Sequence, residues 1–226
     1  MAWSGVLWPT VALLPQLAVG GDPRDRLHRW SRHLLPALGV DLGIRGQLRL
    51  DVPLWVSNHL SWVDPLVLMS LRPMGTIAKG EVTRYPILGP WARKAGLHFV
   101  DRGNPTSRAA ALASFAGDLR KGRKMLLFPE GTTTIGDSLA PLQEGGLKAA
   151  FALGVPVQPI RLASPAVHYP WTGDDTLLPH LRTLLGTRTP VRLQAEPPLH
   201  PSDHAGFPEW LAALRTALHP RSQDVL

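Results

Sequence analysis

The sequence predicts an α/β domain, a largely parallel mixed sheet flanked by helices, preceded by an N-terminal apolar helical segment that associates with a membrane. Three observations predict it. Short apolar runs alternate with helical periodicity from residue 48 to residue 162, the rhythm of strand–helix–strand units. An alanine-rich helical run, Thr106 to Lys121, leads directly into the buried strand Met125-Leu126-Leu127-Phe128. From Met1 to Gly21 no side chain is charged, and Arg24, Arg26, Arg29 and Arg32 follow at once.

The elements follow in order. Residues 1–21 are rich in tryptophan, leucine and valine but contain Pro9, Pro15 and Gln16. A spanning helix needs about 20 predominantly apolar residues, and a secretory signal carries its charge before the apolar run. The segment therefore reads as interfacial, with a spanning helix or burial in the core as alternatives. Residues 24–38 carry Leu27, Trp30, Leu34, Leu35 and Leu38 at helical spacing and read as a basic amphipathic helix continuing the membrane-facing edge. Leu48-Arg49-Leu50 and Leu54-Trp55-Val56 read as strands, 65–71 as helix, Thr76-Ile77-Ala78 as strand, 87–95 as helix and Leu97–Val100 as strand. After the central helix and strand come a helix over 143–153, ended by Gly154, and the strand Val155–Leu162. Residues 163–189 break the rhythm as an irregular excursion with a short helix near 175–185. Val191–Glu196 resumes as a strand, and Phe207–Leu218 closes as an amphipathic helix. This divides the chain into a membrane-associating segment, 1–40, and a single α/β domain, 41–226.

Composition narrows the function. With 226 residues and no cysteine, the chain has neither disulfides nor a cysteine nucleophile. Its net charge of +7 is lopsided: residues 1–124 hold 17 Lys and Arg against 8 Asp and Glu, and the remainder 7 against 9. A basic half implies an anionic partner, which could be the phospholipid surface of a membrane, a phosphorylated substrate, an acidic carrier protein or nucleic acid. Nucleic acid is not expected, because the basic residues are not interleaved with an aromatic platform. No Gly-x-Ser-x-Gly elbow and no Walker loop is present. His200 and His204 flank Pro201 with no third ligand nearby, so no metal site is expected.

Chemistry concentrates in three islands behind strands, the edge where open α/β sheets collect ligands. His59 and Asp64 stand five apart, a spacing that suits a general base and the carboxylate orienting its imidazole. Alternatively Asp64 caps the following helix, with Pro65 at its first position. Glu130-Gly131-Thr132 follows the buried strand, where Gly131 admits close approach and the threonines supply hydroxyls. Arg102, just beyond Phe99-Val100, is a candidate anion clamp, and Lys79 brings a second positive charge to the same edge.

Together these islands resemble the glycerolipid acyltransferase superfamily over roughly residues 45–162. Asn58-His59-Leu60-Ser61-Trp62-Val63-Asp64 is similar to its Asn-His-x-Ser-x-x-Asp block, and Ala78–Glu81 with Phe99–Arg102 to its second region. Phe128-Pro129-Glu130-Gly131-Thr132 is similar to the third block and Val155–Ile160 to the fourth. The resemblance implies a glycerol-phosphate acyltransferase-like fold and acyl transfer from a thioester of coenzyme A or acyl carrier protein, with no other cofactor. It implies His59 as base and Asp64 as its orienter. Asn58, Ser61, Lys79, Arg102, Glu130, Gly131 and Thr132 would then lie on the substrate side. The expected acceptor is a lysolipid, first 1-acyl-glycerol-3-phosphate, and the expected place is the cytoplasmic face of the cell membrane, peripheral or monotopic.

One departure stands out. Relatives with phosphorylated glycerol acceptors usually carry a basic residue directly after Glu-Gly-Thr, where this chain has Thr133. Losing a charge-assisted contact to phosphate costs about 1.5–3 kcal/mol. The Glu-Gly-Thr-Thr version is similar to the branch acylating lyso-ornithine lipids, which is therefore the alternative acceptor class. The alternative from another class is a non-catalytic basic lipid-binding module.

Overall fold

In the computed structural model, residues 21–84, 97–101, 103–173 and 176–221 are described, except for the side chains of 82 and 84. The apolar segment 1–20, the expected helix over 87–95 and Arg102 lie outside the described residues. Among those described, no helix is long and apolar enough to cross a membrane.

The helices are α1 (Pro23–Ala37), α2 (Asp64–Met69), α3 (Pro105–Arg120), α4 (Glu144–Ala152), α5 (Leu177–Leu185) and α6 (Phe207–Leu218). The strands are β1 (Val40–Gly46), β2 (Leu54–Ser57), β3 (Gly75–Lys79), β4 (His98–Val100), β5 (Met125–Leu127), β6 (Val157–Ala163) and β7 (Thr189–Ala195). They form one sheet in the order β1-β7-β6-β2-β5-β3-β4. Every neighbouring pair is parallel except β6–β7. The expected largely parallel mixed sheet is present.

The short strand β2 lies at the centre, fully buried and paired on both sides by the parallel strands β5 and β6. A parallel strand covered on both faces reads as an unbroken apolar run, as Leu54-Trp55-Val56 does. One core packs Trp55, Leu60, Leu66, Leu68 and Met69 with α1, and the other packs Val56, Phe115, Leu147 and Trp210 beneath α3, α4 and α6.

Two expectations change. The first strand is Val40–Gly46, not Leu48–Leu50. It alternates apolar Val40, Leu42 and Ile44 with polar or small residues, as a half-exposed edge strand does, while Leu50 is 53% exposed in the connection that follows. The apolar stripe of α1 is internal rather than a membrane-facing edge. Leu27, Trp30, Leu34 and Leu35 are buried against the core beside α2, and Arg29, Arg32 and His33 face outward.

Candidate active site

β2 ends at Ser57, and the chain turns over the carboxyl edge of the sheet before α2 begins at Asp64. Asn58 fixes the departure. Its side chain donates to Leu162 O at 2.9 Å and accepts from Leu162 N at 2.7 Å, so it joins the end of β2 to β6 like an extra pair of backbone groups. Ser61 is fully buried in the turn, and its hydroxyl accepts from Val63 N. Both residues, expected on the substrate side, serve the turn itself.

That turn brings His59 and Asp64 together. His59 Nδ1 lies 2.9 Å from Asp64 Oδ2, which also accepts Leu60 N at 2.5 Å and Ser61 N at 2.8 Å. Tyr169 Oη donates to the other oxygen, Oδ1, at 2.6 Å. Asp64 is wholly buried, and Tyr169 with it. An ionised carboxylate only accepts, so Nδ1 carries the hydrogen and Nε2 is the nitrogen available for chemistry. The imidazole is stacked on Phe128, ring centroids 4.1 Å apart, which sets its plane. The carboxylate does not cap its helix through a side-chain bond within it; its four donors come from the turn and from Tyr169.

Glu130 supports the same turn from below. Oε1 accepts His59 N at 2.8 Å and Oε2 accepts Ala140 N at 3.0 Å. Burial pushes its carboxyl above the ordinary range, against the lowering effect of those two bonds. Gly131 follows at φ 68°, and a Cβ there would stand 3.3 Å from Gln143 Cγ. Both constraints favour glycine. Thr134 N then bonds back to His59 O at 2.8 Å.

His59, Gly131, Thr132 and Thr133 line a cleft of about 380 Å³. Leu66, Met69, Ile77 and Leu97 give it apolar walls, and Trp62 and Trp171 line it as well. Lys79 also lines it, paired with Glu81 at 3.3 Å. The Thr133 hydroxyl donates to Trp171 O and is thereby turned toward the excursion. Of the residues expected at the site, His59, Lys79, Gly131 and Thr132 meet at the cleft, while Glu130 and Asp64 lie behind it. Arg102 is outside the described residues.

An acyltransferase family model matches residues 51–163. The chain belongs to the acyltransferase family. This acyltransferase is 39% identical over 183 residues to the lyso-ornithine lipid O-acyltransferase of Pseudomonas aeruginosa, covering 78% of this chain and 70% of that protein. It is 34% identical to the enzyme of the same description from Brucella abortus, over 72% of this chain and 68% of that one. To the 1-acyl-sn-glycerol-3-phosphate acyltransferase of Neisseria meningitidis it is 28% identical, over 71% and 63%. Its fold is that of the 1-acyl-sn-glycerophosphate acyltransferase PlsC from Thermotoga maritima, with TM-score 0.68 at 19% identity over 95% of this chain and 86% of that one.

Three site residues escaped the sequence reading. Phe128 was legible as a strand end but not as the plate under the imidazole. Trp171 and Tyr169 sit in the excursion, where neither periodicity nor spacing operates; the signal there was an aromatic pair flanking Pro170.

Proposed function

We propose that this acyltransferase moves an acyl group from a thioester to the free hydroxyl of a lysolipid, with His59 as general base. The observation that carries the reading is the His59–Asp64 pair, whose histidine lines a cleft walled in part by apolar side chains. The apolar wall suits an acyl chain, and the nitrogen opposite Asp64 suits a hydroxyl at the chain's polar end. His59 Nε2 takes the hydroxyl proton as the oxygen attacks the thioester carbonyl. Asp64 stabilises the imidazolium that forms. The tetrahedral intermediate then expels the thiolate, which receives the proton, so the products are the ester and a free thiol. Gly131 and Thr132 line the cleft with His59, and their backbone and hydroxyl donors would hold the acceptor or the oxyanion.

The acceptor favoured is a lyso-ornithine lipid. The relatives of that description from Pseudomonas and Brucella support it, as does the absence of a cation at Thr133, whose hydroxyl is engaged by Trp171. 1-acyl-glycerol-3-phosphate is the second reading, supported by the Neisseria relative and by Lys79 at the cleft. The test incubates purified protein and labelled acyl thioester, as coenzyme A or carrier-protein form, with each lysolipid. Faster turnover of the phosphate acceptor would reverse the order. The lipid nature of the acceptor and the basic first half of the chain support a peripheral place on the cytoplasmic face of the membrane. Co-sedimentation with anionic vesicles checks it, and absence of binding refutes it.

A further inference from the structure

We propose that Tyr169 is the positioning residue of the His59–Asp64 pair. Its phenol holds the second carboxylate oxygen, reserves Oδ2 for the imidazole and tempers how strongly that oxygen draws the proton of Nδ1. The inference deepens the acyl-transfer reading and rests on it.

The geometry divides four donors between two oxygens. Oδ2 takes three, from His59 Nδ1, Leu60 N and Ser61 N, and Oδ1 takes Tyr169 Oη at 2.6 Å. Asp64 and Tyr169 are both fully buried, so bulk water does not stand in for the phenol. Burial first, and then the charge of Asp64, push the phenol well above its ordinary range. The bond therefore runs one way, from hydroxyl to carboxylate. Without it, Oδ1 would be a buried charged oxygen with no donor, and the carboxylate would gain freedom to turn away from the imidazole.

The placement is not a loop accident. Tyr169 N bonds Ala166 O at 2.9 Å, and Ser164 Oγ donates to Pro190 O at 2.6 Å in β7. His168 Nε2 lies 2.9 Å from Thr189 Oγ1 in the same strand. On the other side Trp171 N bonds Leu60 O at 2.8 Å. The excursion is thus moored to β7 and to the catalytic turn, and Tyr169 is held between them. It lies 105 positions from Asp64 and beyond the matched residues 51–163. Besides Tyr169 and His59, Glu130 also feels the charge of Asp64, and it holds His59 N. His168 is engaged by Thr189 instead.

A hydrogen-bond donor on a carboxylate lowers its basicity, and a less basic carboxylate stabilises an imidazolium less. Tyr169→Phe keeps the ring and removes only the donor. The acidic limb of the kcat/KM–pH profile should then move to higher pH by about half a unit. Turnover should fall roughly tenfold with KM for the lysolipid within about twofold. Placing 3-fluorotyrosine at 169 strengthens the donor in an almost isosteric side chain and should move the limb the other way. It carries the test alone should the phenylalanine variant fail to fold. NMR titration of the His59 imidazole in all three proteins, without substrate, should show the same opposite displacements. Displacement of the imidazole titration in one common direction, or none, overturns the role of Tyr169. A loss confined to melting temperature overturns it too. If wild-type protein acylates no lysolipid while the imidazole titration still moves as described, the acyl-transfer reading falls and the Tyr169–Asp64 relation stands.

Discussion

Glu130 accepts the backbone N–H of His59 through Oε1 at 2.8 Å. The glutamate of the third sequence block therefore holds the histidine of the first through the main chain, and its other oxygen holds Ala140 N. Glu130→Gln retains one acceptor but presents an amide N–H to one of the two donors. It should cost about 1–3 kcal/mol of stability and lower kcat more than it raises KM. A large rise in KM at unchanged kcat would instead place Glu130 on the acceptor.

The raised carboxyl of Glu130 has a pH consequence. A group whose folded-state affinity for protons exceeds that of the unfolded chain favours folding most at low pH. Its contribution should therefore decline from about pH 4.5, the unfolded reference value, upward through the raised folded value and then level off. Denaturant titrations of wild type and Glu130→Gln from pH 4 to 8 isolate it. A difference between the two that is flat with pH would refute the assignment.

Asp118 carries the opposite sign. Burial pushes it up, but bonds from Arg123 and His98, together with the Arg24 charge, hold it below the ordinary carboxylate range. It joins α1, β4 and the turn after α3. Asp118→Asn should cost on the order of 3 kcal/mol near neutral pH. That difference is fully present above the unfolded value of 3.8 and is lost as pH falls through the lowered folded value. Urea midpoints for both proteins across pH 2.5 to 7 measure it, and a constant gap would count against the ion cluster.

How much of this was legible depended on what each residue's neighbours were. β2, β5 and α3 announced themselves because buried strands and long helices carry their periodicity in their own residues. The His59–Asp64 pairing was legible because both partners belong to one short turn. The edge strand β1 was harder, since partial exposure dilutes the alternation of Val40, Leu42 and Ile44. The contacts of Tyr169, Trp171 and Phe128 with the turn are long-range, and no local pattern encodes a partner so far along the chain. The inward face of α1 was misjudged for a related reason: an amphipathic stripe says that something covers it, not what.

The base proposed for the reaction, His59, gives the plainest prediction. His59→Gln removes the proton acceptor while keeping a polar side chain of similar reach beside Asp64. Turnover should fall about 10²–10⁴-fold, while binding to anionic vesicles and the melting temperature stay near wild type. Full acyl transfer by this variant would remove His59 from the chemistry and leave a binding module as the better reading.

Position 133 offers the test of acceptor choice. Its hydroxyl donates to Trp171 O, so the residue that follows Gly131-Thr132 closes the cleft against the excursion instead of presenting a charge to it. Among the described residues lining the cleft the cation is Lys79, already paired with Glu81. Thr133→Arg adds a guanidinium beside Thr132 and breaks the bond to Trp171. A charge-assisted bond to phosphate is worth about 1.5–3 kcal/mol, or roughly 10- to 150-fold in affinity. Loss of the Trp171 bond offsets part of that, because a loosened excursion also loosens the hold on Leu60 and Tyr169. KM for 1-acyl-glycerol-3-phosphate should therefore fall about tenfold in the variant, while kcat falls modestly for every acceptor. Competition between the two lysolipids in one assay reads the ratio directly and cancels the common loss in kcat. An unchanged ratio would mean that the phosphate, if bound at all, is held elsewhere, and that Thr133 does not set the acceptor.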